Sequence, residues 1–136
     1  MSNYPEPVVG IFLLNEKKEI LLCKSHKWGG SWVVAGGHIN IGETIREAVA
    51  REAREELGVE VGKIAIIDVL DGVFMPEFYK NKHFIFIQCS CYLQEGSSIK
   101  IDNDEIQEAK WFNINNIPKE ILSITGLTIE KIRGEL

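Results

Sequence analysis

Apolar positions in this chain fall into short runs divided by polar and glycine-rich breaks. Val8 to Leu14 is an apolar run, the pattern of a buried strand. Asn15 to Lys18 is a polar turn, and Glu19 to Lys24 returns as a second strand, which predicts a hairpin. Ser25 to Ser31 reads as a loop and Trp32 to Ala35 as a short strand. Gly36-Gly37 then reads as a sharp turn where a Cβ would clash. Thr44-Ile-Arg-Glu47 is a capping box and Gly58 stands where a left-handed residue ends a helix, so a helix runs over residues 45–57. Val61 to Leu70 and His83 to Leu93 are further strands, joined by a loop over residues 71–82. The second strand sets Ile85, Ile87, Cys89, Cys91 and Leu93 on one wholly apolar face, and Phe84, Phe86, Gln88, Ser90 and Tyr92 on a mixed one. A polar loop over residues 96–104 carries a short strand at Ile99 to Ile101. Ala109 to Phe112 reads as a strand, Asn115 to Leu122 as a short helix and Leu127 to Arg133 as a last helix. With no repeat, low-complexity tract or linker, the pattern predicts a single α+β domain over residues 1–136.

Composition changes this picture little, but charge does. The chain has 45% hydrophobic and 26% charged residues and a formal net charge of -5. That disfavours nucleic acid and anionic membranes as partners, since both need a basic surface. An acidic protein acting on an anionic substrate needs metal ions to screen the approach. The three cysteines, Cys23, Cys89 and Cys91, lack zinc-ligand spacing and are odd in number, so they read as buried free thiols in a reducing compartment. Neither a leader pattern at the N-terminus nor an apolar run near the ~20 residues of a membrane span is present, so a cytoplasmic location is expected.

The candidate chemistry lies on the helix. Glu52, Glu55 and Glu56 are spaced i, i+3 and i+4 and project from one side. At 100° per residue, Glu52 and Glu56 fall roughly 40° apart, with Ile45 between them and Ala48 and Val49 flanking. Two carboxylates therefore occupy the core-facing arc, where like charges repel and solvation is poor. A solvated acidic face with Arg46, Arg51 and Arg54 as salt-bridge partners accounts for Arg54 and Glu47, but not for this placement. Mg²⁺ or Mn²⁺, which prefer carboxylate oxygens, would account for it. Gly36 and Gly37 expose backbone groups beside the helix, and Glu43 at its N-terminal end is placed to pair with Arg51.

The stretch from Gly37 to Val59 resembles the Nudix box: a glycine, five residues, glutamate, seven residues, then Arg-Glu-apolar-x-Glu-Glu-x-Gly-apolar. Gly37, Glu43, Arg51, Glu52, Ala53, Glu55, Glu56, Gly58 and Val59 stand where that pattern asks. Residues 30–37 are similar to the strand and turn that lead into the box, and Lys110-Trp111-Phe112 to a late family strand. Ala35 stands where many members carry proline. The resemblance spans Val8 to Phe112 and implies the Nudix α/β/α sandwich, a mixed sheet between helices. It also implies hydrolysis of a diphosphate joined to another group, commonly a nucleoside, with Mg²⁺ or Mn²⁺. On the matching positions, Glu52, Glu55, Glu56 and the Gly37 carbonyl would hold metal. Glu52 or Glu56 would orient or deprotonate the water, and Arg51 would orient the glutamates with Glu43. A further acidic residue is expected from a later loop, Glu105 or Asp104.

Substrate identity lies outside the box. Trp28, Phe74, Phe78, Tyr79 and Phe86 are candidate stacking residues for a base, and His38 and His83 candidate phosphate or base contacts. Residues 36–44 resemble the small nucleoside-triphosphate pyrophosphatases of the family. The expected substrate is therefore a nucleotide-like small molecule, a nucleoside triphosphate or a nucleotide sugar. Pro76 lies about where ADP-ribose-cleaving members have a proline, which keeps ADP-ribose as an alternative. A non-catalytic nucleotide-sensing module is a further alternative, although such proteins usually lose box glutamates and none is missing here. Family members often form homodimers; no exposed stripe in the sequence marks an interface.

Overall fold

Strand β1 (Glu6–Leu14) is the centre of the molecule. In the computed structural model, which describes residues 3–136, it pairs in parallel with β5 (His83–Leu93) from Glu6↔Phe84 to Leu14↔Tyr92. Its other edge is shared. Val8 to Ile11 pair antiparallel with β3 (Ala35–His38), and Leu14 pairs with Ile20 of β2 (Glu19–Lys24), the hairpin partner. β4 (Val61–Val73) closes one side of the sheet and β6 (Glu108–Asn113) the other, giving the order β4-β5-β1-β2-β6 with β3 on β1. The unbroken apolar run of β1 follows from this position, because both of its faces are covered.

One face packs Val9, Ile11, Leu13, Cys89 and Cys91 under α1 (Ile45–Glu52) through Ala48 and Val49. The opposite face packs Phe12, Leu14, Ile20 and Leu22 against Ile129 and Ile132 of α2 (Ser123–Glu135). Each buried Val, Leu, Ile or Phe among these contributes about 1.5–3 kcal/mol, so the sheet is clamped from both sides. This is the expected α+β arrangement, a mixed sheet between helices. All three cysteines are free and buried. Met1 and Ser2, the start of the expected domain and of the segment read as lacking a leader, lie outside the described residues. Among the described residues, no helix is long and apolar enough to cross a membrane.

The structure corrects several boundaries. Trp32 and Val33 form only isolated bridges, to Ile121 and Cys23; the strand begins at Ala35 and runs through Gly36 and Gly37, which are not a turn. The helix with its Thr44 capping box ends as an α-helix at Glu52, and a π-helical turn continues from Ala53 to Leu57. Gly58, at φ 66°, closes it in the left-handed region. Residues 99–101 are not a strand: Lys100 and Asp102 donate their amides to the carbonyls of Leu57 and Glu56, strapping the end of that turn. Residues 115–122 are not a helix; Asn115 closes a turn on the Asn113 side chain. α2 starts at Ser123 rather than Leu127, because its first turn buries Thr125, a polar residue that the apolar pattern passes over. β4 runs on to Val73 and leaves Ile66, Val69 and Val73 exposed, an apolar set that the sequence pattern did not reveal.

Candidate active site

Arg51 organises one wall of the site. Its Nε and Nη2 hold Glu43, Nη1 donates to Glu52 Oε1 at 2.9 Å and to Glu55 Oε2 at 3.1 Å, and Nη2 also reaches the His38 carbonyl at 2.9 Å. All five guanidinium N–H donors thus have acceptors. The bond to Arg51 holds the Glu43 carboxyl below the usual range, and reciprocally raises the arginine. The Glu43–Arg51 pair expected from the sequence is therefore present, and it ties the helix N-terminal loop to the last turn of α1.

Glu52 and Glu56 are buried, at 9% and 6% exposure, whereas Glu55 lies towards solvent. Glu55 and Glu56 lie in the π-turn, and all three carboxylates face the same basin, as a regular helical projection also placed them. Burial raises the Glu52 carboxyl above its ordinary range despite the opposing bond from Arg51. Glu56 is pushed up to about 8, first by burial and then by the charge of Glu52, against a 3.0 Å hydrogen bond from the Gly36 amide to its Oε1.

The glycines of β3 make room for this arrangement. A Cβ on Gly36 would fall 2.1 Å from the Val9 carbonyl oxygen, and one on Gly37 would fall 2.4 Å from Glu52 Oε1. Glycine is thus required for close approach, of β1 on one side and of a carboxylate on the other, not for a turn.

Two cavities meet across β3. The first, of about 400 Å³, is ringed by Glu52, Glu55, Glu56, Asp102, Glu105 and Asn40. The second, of about 150 Å³, is walled by Trp28, Phe78, Phe84 and Phe86, with Gly10 and Gln88 also lining it. Lys27, Gly36, Gly37, His38, Glu56 and Glu105 line both, so an aromatic chamber opens onto an acidic basin. Lys27 stands at the junction with its Nζ 2.6 Å from Glu105 Oε2. Burial pulls the lysine down, but the Glu105 contact outweighs it and the net shift is upward.

Residues 4–128 match the family model described as the NUDIX domain. The chain belongs to the Nudix family. It is 34% identical over 122 residues to an ADP-ribose pyrophosphatase of Methanocaldococcus jannaschii, covering 85% of this chain and 68% of that protein. It is 29% identical over 109 residues to the NAD-capped RNA hydrolase NudC of Pseudomonas aeruginosa, but spans only 36% of that relative's length. Among solved structures, a MutT NUDIX hydrolase from Burkholderia pseudomallei superposes with a TM-score of 0.79 at 21% identity, covering 96% of this chain and 99% of that one. A UDP-X diphosphatase superposes at 0.74 and 22% identity, covering 100% of this chain and 66% of that one. Both likenesses are likenesses of fold.

Against the Nudix fold, the sequence-predicted residues divide clearly. Gly37, Glu52, Glu55, Glu56 and Glu105 line the acidic basin, and Trp28, Phe78 and Phe86 the chamber. His38 lines both, with its ring nitrogen 2.7 Å from Glu6 Oε1. Tyr79 lines neither: half exposed, it packs edge-on against Phe78 from outside. Phe74 and His83 pair with each other on the periphery. Asp104 does not line the basin; Asp102 does, while also accepting the Asp104 amide. Sequence reasoning passed over Lys27, Asn40, Asp102 and Gln88. Only Gln88 carried a local signal, a polar residue within the longest strand.

The donor set suits a hard divalent cation. Two buried carboxylates and their acidic neighbours offer oxygen ligands only, and their mutual repulsion is relieved by positive charge. Among the described residues, no three carboxylate, imidazole or thiol groups already converge at ligand spacing. Glu52 and Glu55 instead share Arg51 Nη1.

Proposed function

We propose that this chain is a divalent-metal-dependent hydrolase that cuts the phosphoric anhydride of a nucleoside diphosphate joined to a second group. The observation that carries this reading is the pair of buried carboxylates, Glu52 and Glu56, beside a basin continuous with a ring-sized aromatic chamber. Glu52, Glu55 and Glu56, with the Gly37 carbonyl, would hold Mg²⁺ or Mn²⁺. A bound ion supplies charge neutralisation at the diphosphate and polarises the attacking water.

Glu56 is the base. Arg51 engages Glu52 Oε1, whereas the buried Glu56 carboxylate lines the basin beside it without an arginine contact. Oε1 of Glu56 is engaged by the Gly36 amide, which leaves Oε2 to take the proton. Water oxygen bonds to phosphorus as the anhydride P–O bond breaks. The water proton passes to Glu56, and the leaving phosphate keeps the bridging oxygen and its electron pair. Arg51 and Glu43 are positioning residues that hold the carboxylates, and Lys27 stands ready for phosphate oxygens. Trp28, Phe78 and Phe86 offer faces to a ring.

Relatives named for ADP-ribose and NAD-capped RNA favour a nucleoside diphosphate joined to an organic group over a plain triphosphate. The net charge of -5 favours a small molecule over an RNA-linked substrate. We place the activity in the cytoplasm and assign it to the whole of residues 1–136 as one domain. The test is a panel of ADP-ribose, UDP-sugars and nucleoside triphosphates with Mg²⁺, analysed for products. Release of a nucleoside monophosphate is expected, falling ~10³-fold or more in Glu56→Gln. Full activity in that variant would overturn the mechanism. Ligand binding with no product from any compound would instead favour a sensing module.

A further inference from the structure

Gln88 is 2% exposed, yet its side-chain Oε1 has no hydrogen-bond partner among the described residues. A buried acceptor left in this state is costly, and the other carboxamide acceptors and donors of a well-packed interior are normally answered. The molecule makes specific room for it. Gln88 pairs with Gly10 across β5 and β1, and a Cβ on Gly10 would fall 2.1 Å from Gln88 Oε1. Gly10 in turn pairs with Gly36 of β3, whose amide holds Glu56. A single row of the sheet therefore leads from Gln88 over two glycines to the acidic basin. At the spacing of neighbouring strands it covers roughly 10 Å.

Both Gln88 and Gly10 line the aromatic chamber. At about 150 Å³ that chamber is smaller than the ~300–1,000 Å³ of sites that enclose whole drug-sized ligands, so it suits one ring of a larger molecule. Its aromatic walls supply stacking faces, and the carboxamide supplies an oxygen that is unanswered among the described residues.

We infer that Gln88 is a specificity-determining residue for the ring of the substrate. Its carboxamide binds the edge of a base carrying an exocyclic amino donor beside a ring-nitrogen acceptor, as adenine and cytosine do. The amino group answers Oε1, and the amide N–H answers the ring nitrogen, the same pairing by which glutamine reads adenine elsewhere. This inference rests on the proposed reading of the chain as a nucleotide hydrolase.

The test measures binding of AMP, IMP, CMP and UMP to the full chain by tryptophan fluorescence, since Trp28 lines the chamber. These compounds differ within each pair by amino against oxo, and they bind without turnover. Wild type is expected to bind AMP or CMP at least ~10-fold more tightly than its oxo counterpart, and the preferred pair tells adenine from cytosine. Gln88→Leu is expected to bring that ratio near one by weakening the amino compound alone, without lowering the melting temperature. Gly10→Ala, which displaces the carboxamide rather than removing it, provides a second variant with the same expected loss. An unchanged ratio in both folded variants overturns the inference, as does a wild type that prefers the oxo bases or does not discriminate. Selective AMP binding with no cleavage of any diphosphate would overturn the proposed activity and leave this inference standing.

Discussion

Glu52 Oε1 occupies the place that a side chain on Gly37 would need, 2.4 Å from the ideal Cβ position. Gly36, its neighbour, is glycine for a different reason, the approach of the Val9 carbonyl at 2.1 Å. The two positions should therefore fail differently. In Gly37→Ala the obstacle is the end of a flexible side chain, so the fold should survive while Glu52 is pushed aside and turnover is lost. In Gly36→Ala the obstacle is backbone, so β3 must part from β1, at about 1–3 kcal/mol or more. Thermal unfolding and turnover measured on both variants check the contrast; equal melting temperatures would contradict it.

Arg51 uses every donor it has, and lysine offers only three without a planar fork. Arg51→Lys should leave Glu43, Glu52 and Glu55 partly unheld. The Mg²⁺ concentration for half-maximal activity should rise about 10–100-fold, the usual range for loss of a group that orients ligands. A metal titration followed by product release measures this. An unshifted curve would remove Arg51 from the positioning role.

The Glu56 carboxyl also makes stability depend on pH. Its folded value of about 8 lies above its ordinary 4.5, so the folded state binds the proton more tightly. The contribution is fully present below 4.5 and is lost as pH rises through about 8. Protein treated with chelator should therefore lose stability progressively from pH 5 to pH 8, on the order of a few kcal/mol, seen as a falling melting temperature. Mg²⁺ should reverse most of the loss at the alkaline end, and Glu56→Gln should flatten the profile. Calorimetric scans across this range decide it.

The cysteines should be chemically silent. Burial pushes Cys23 and Cys91 up to about 12 and Cys89 to about 11, which removes the thiolate at neutral pH. Iodoacetamide should leave all three unmodified in the native protein and label all three after unfolding, as mass spectrometry would record. Rapid native labelling of Cys89 or Cys91 would mean that the α1 face opens readily.

The stretch from Gly37 to Val59 was legible in the sequence because its determinants are local. The capping box, the spacing of Glu52 and Glu56 and the closing glycine at Gly58 depend on helix geometry within a few residues of each other. Strand β1 was legible for a similar reason, since burial on both faces leaves an unbroken apolar run. What the linear order could not hold were contacts between distant segments. The purpose of Gly36 and Gly37 depends on Val9 and Glu52, and Lys27 meets Glu105 across 78 positions. Tyr79 and Phe78 are adjacent in the chain, yet one faces solvent and the other walls the chamber. Gln88 shows the boundary most sharply: its polarity stands out in the strand, but its unanswered oxygen exists only because Gly10 lies beside it in the folded sheet. Periodicity records which side of an element a residue takes; only packing between elements determines what that side meets.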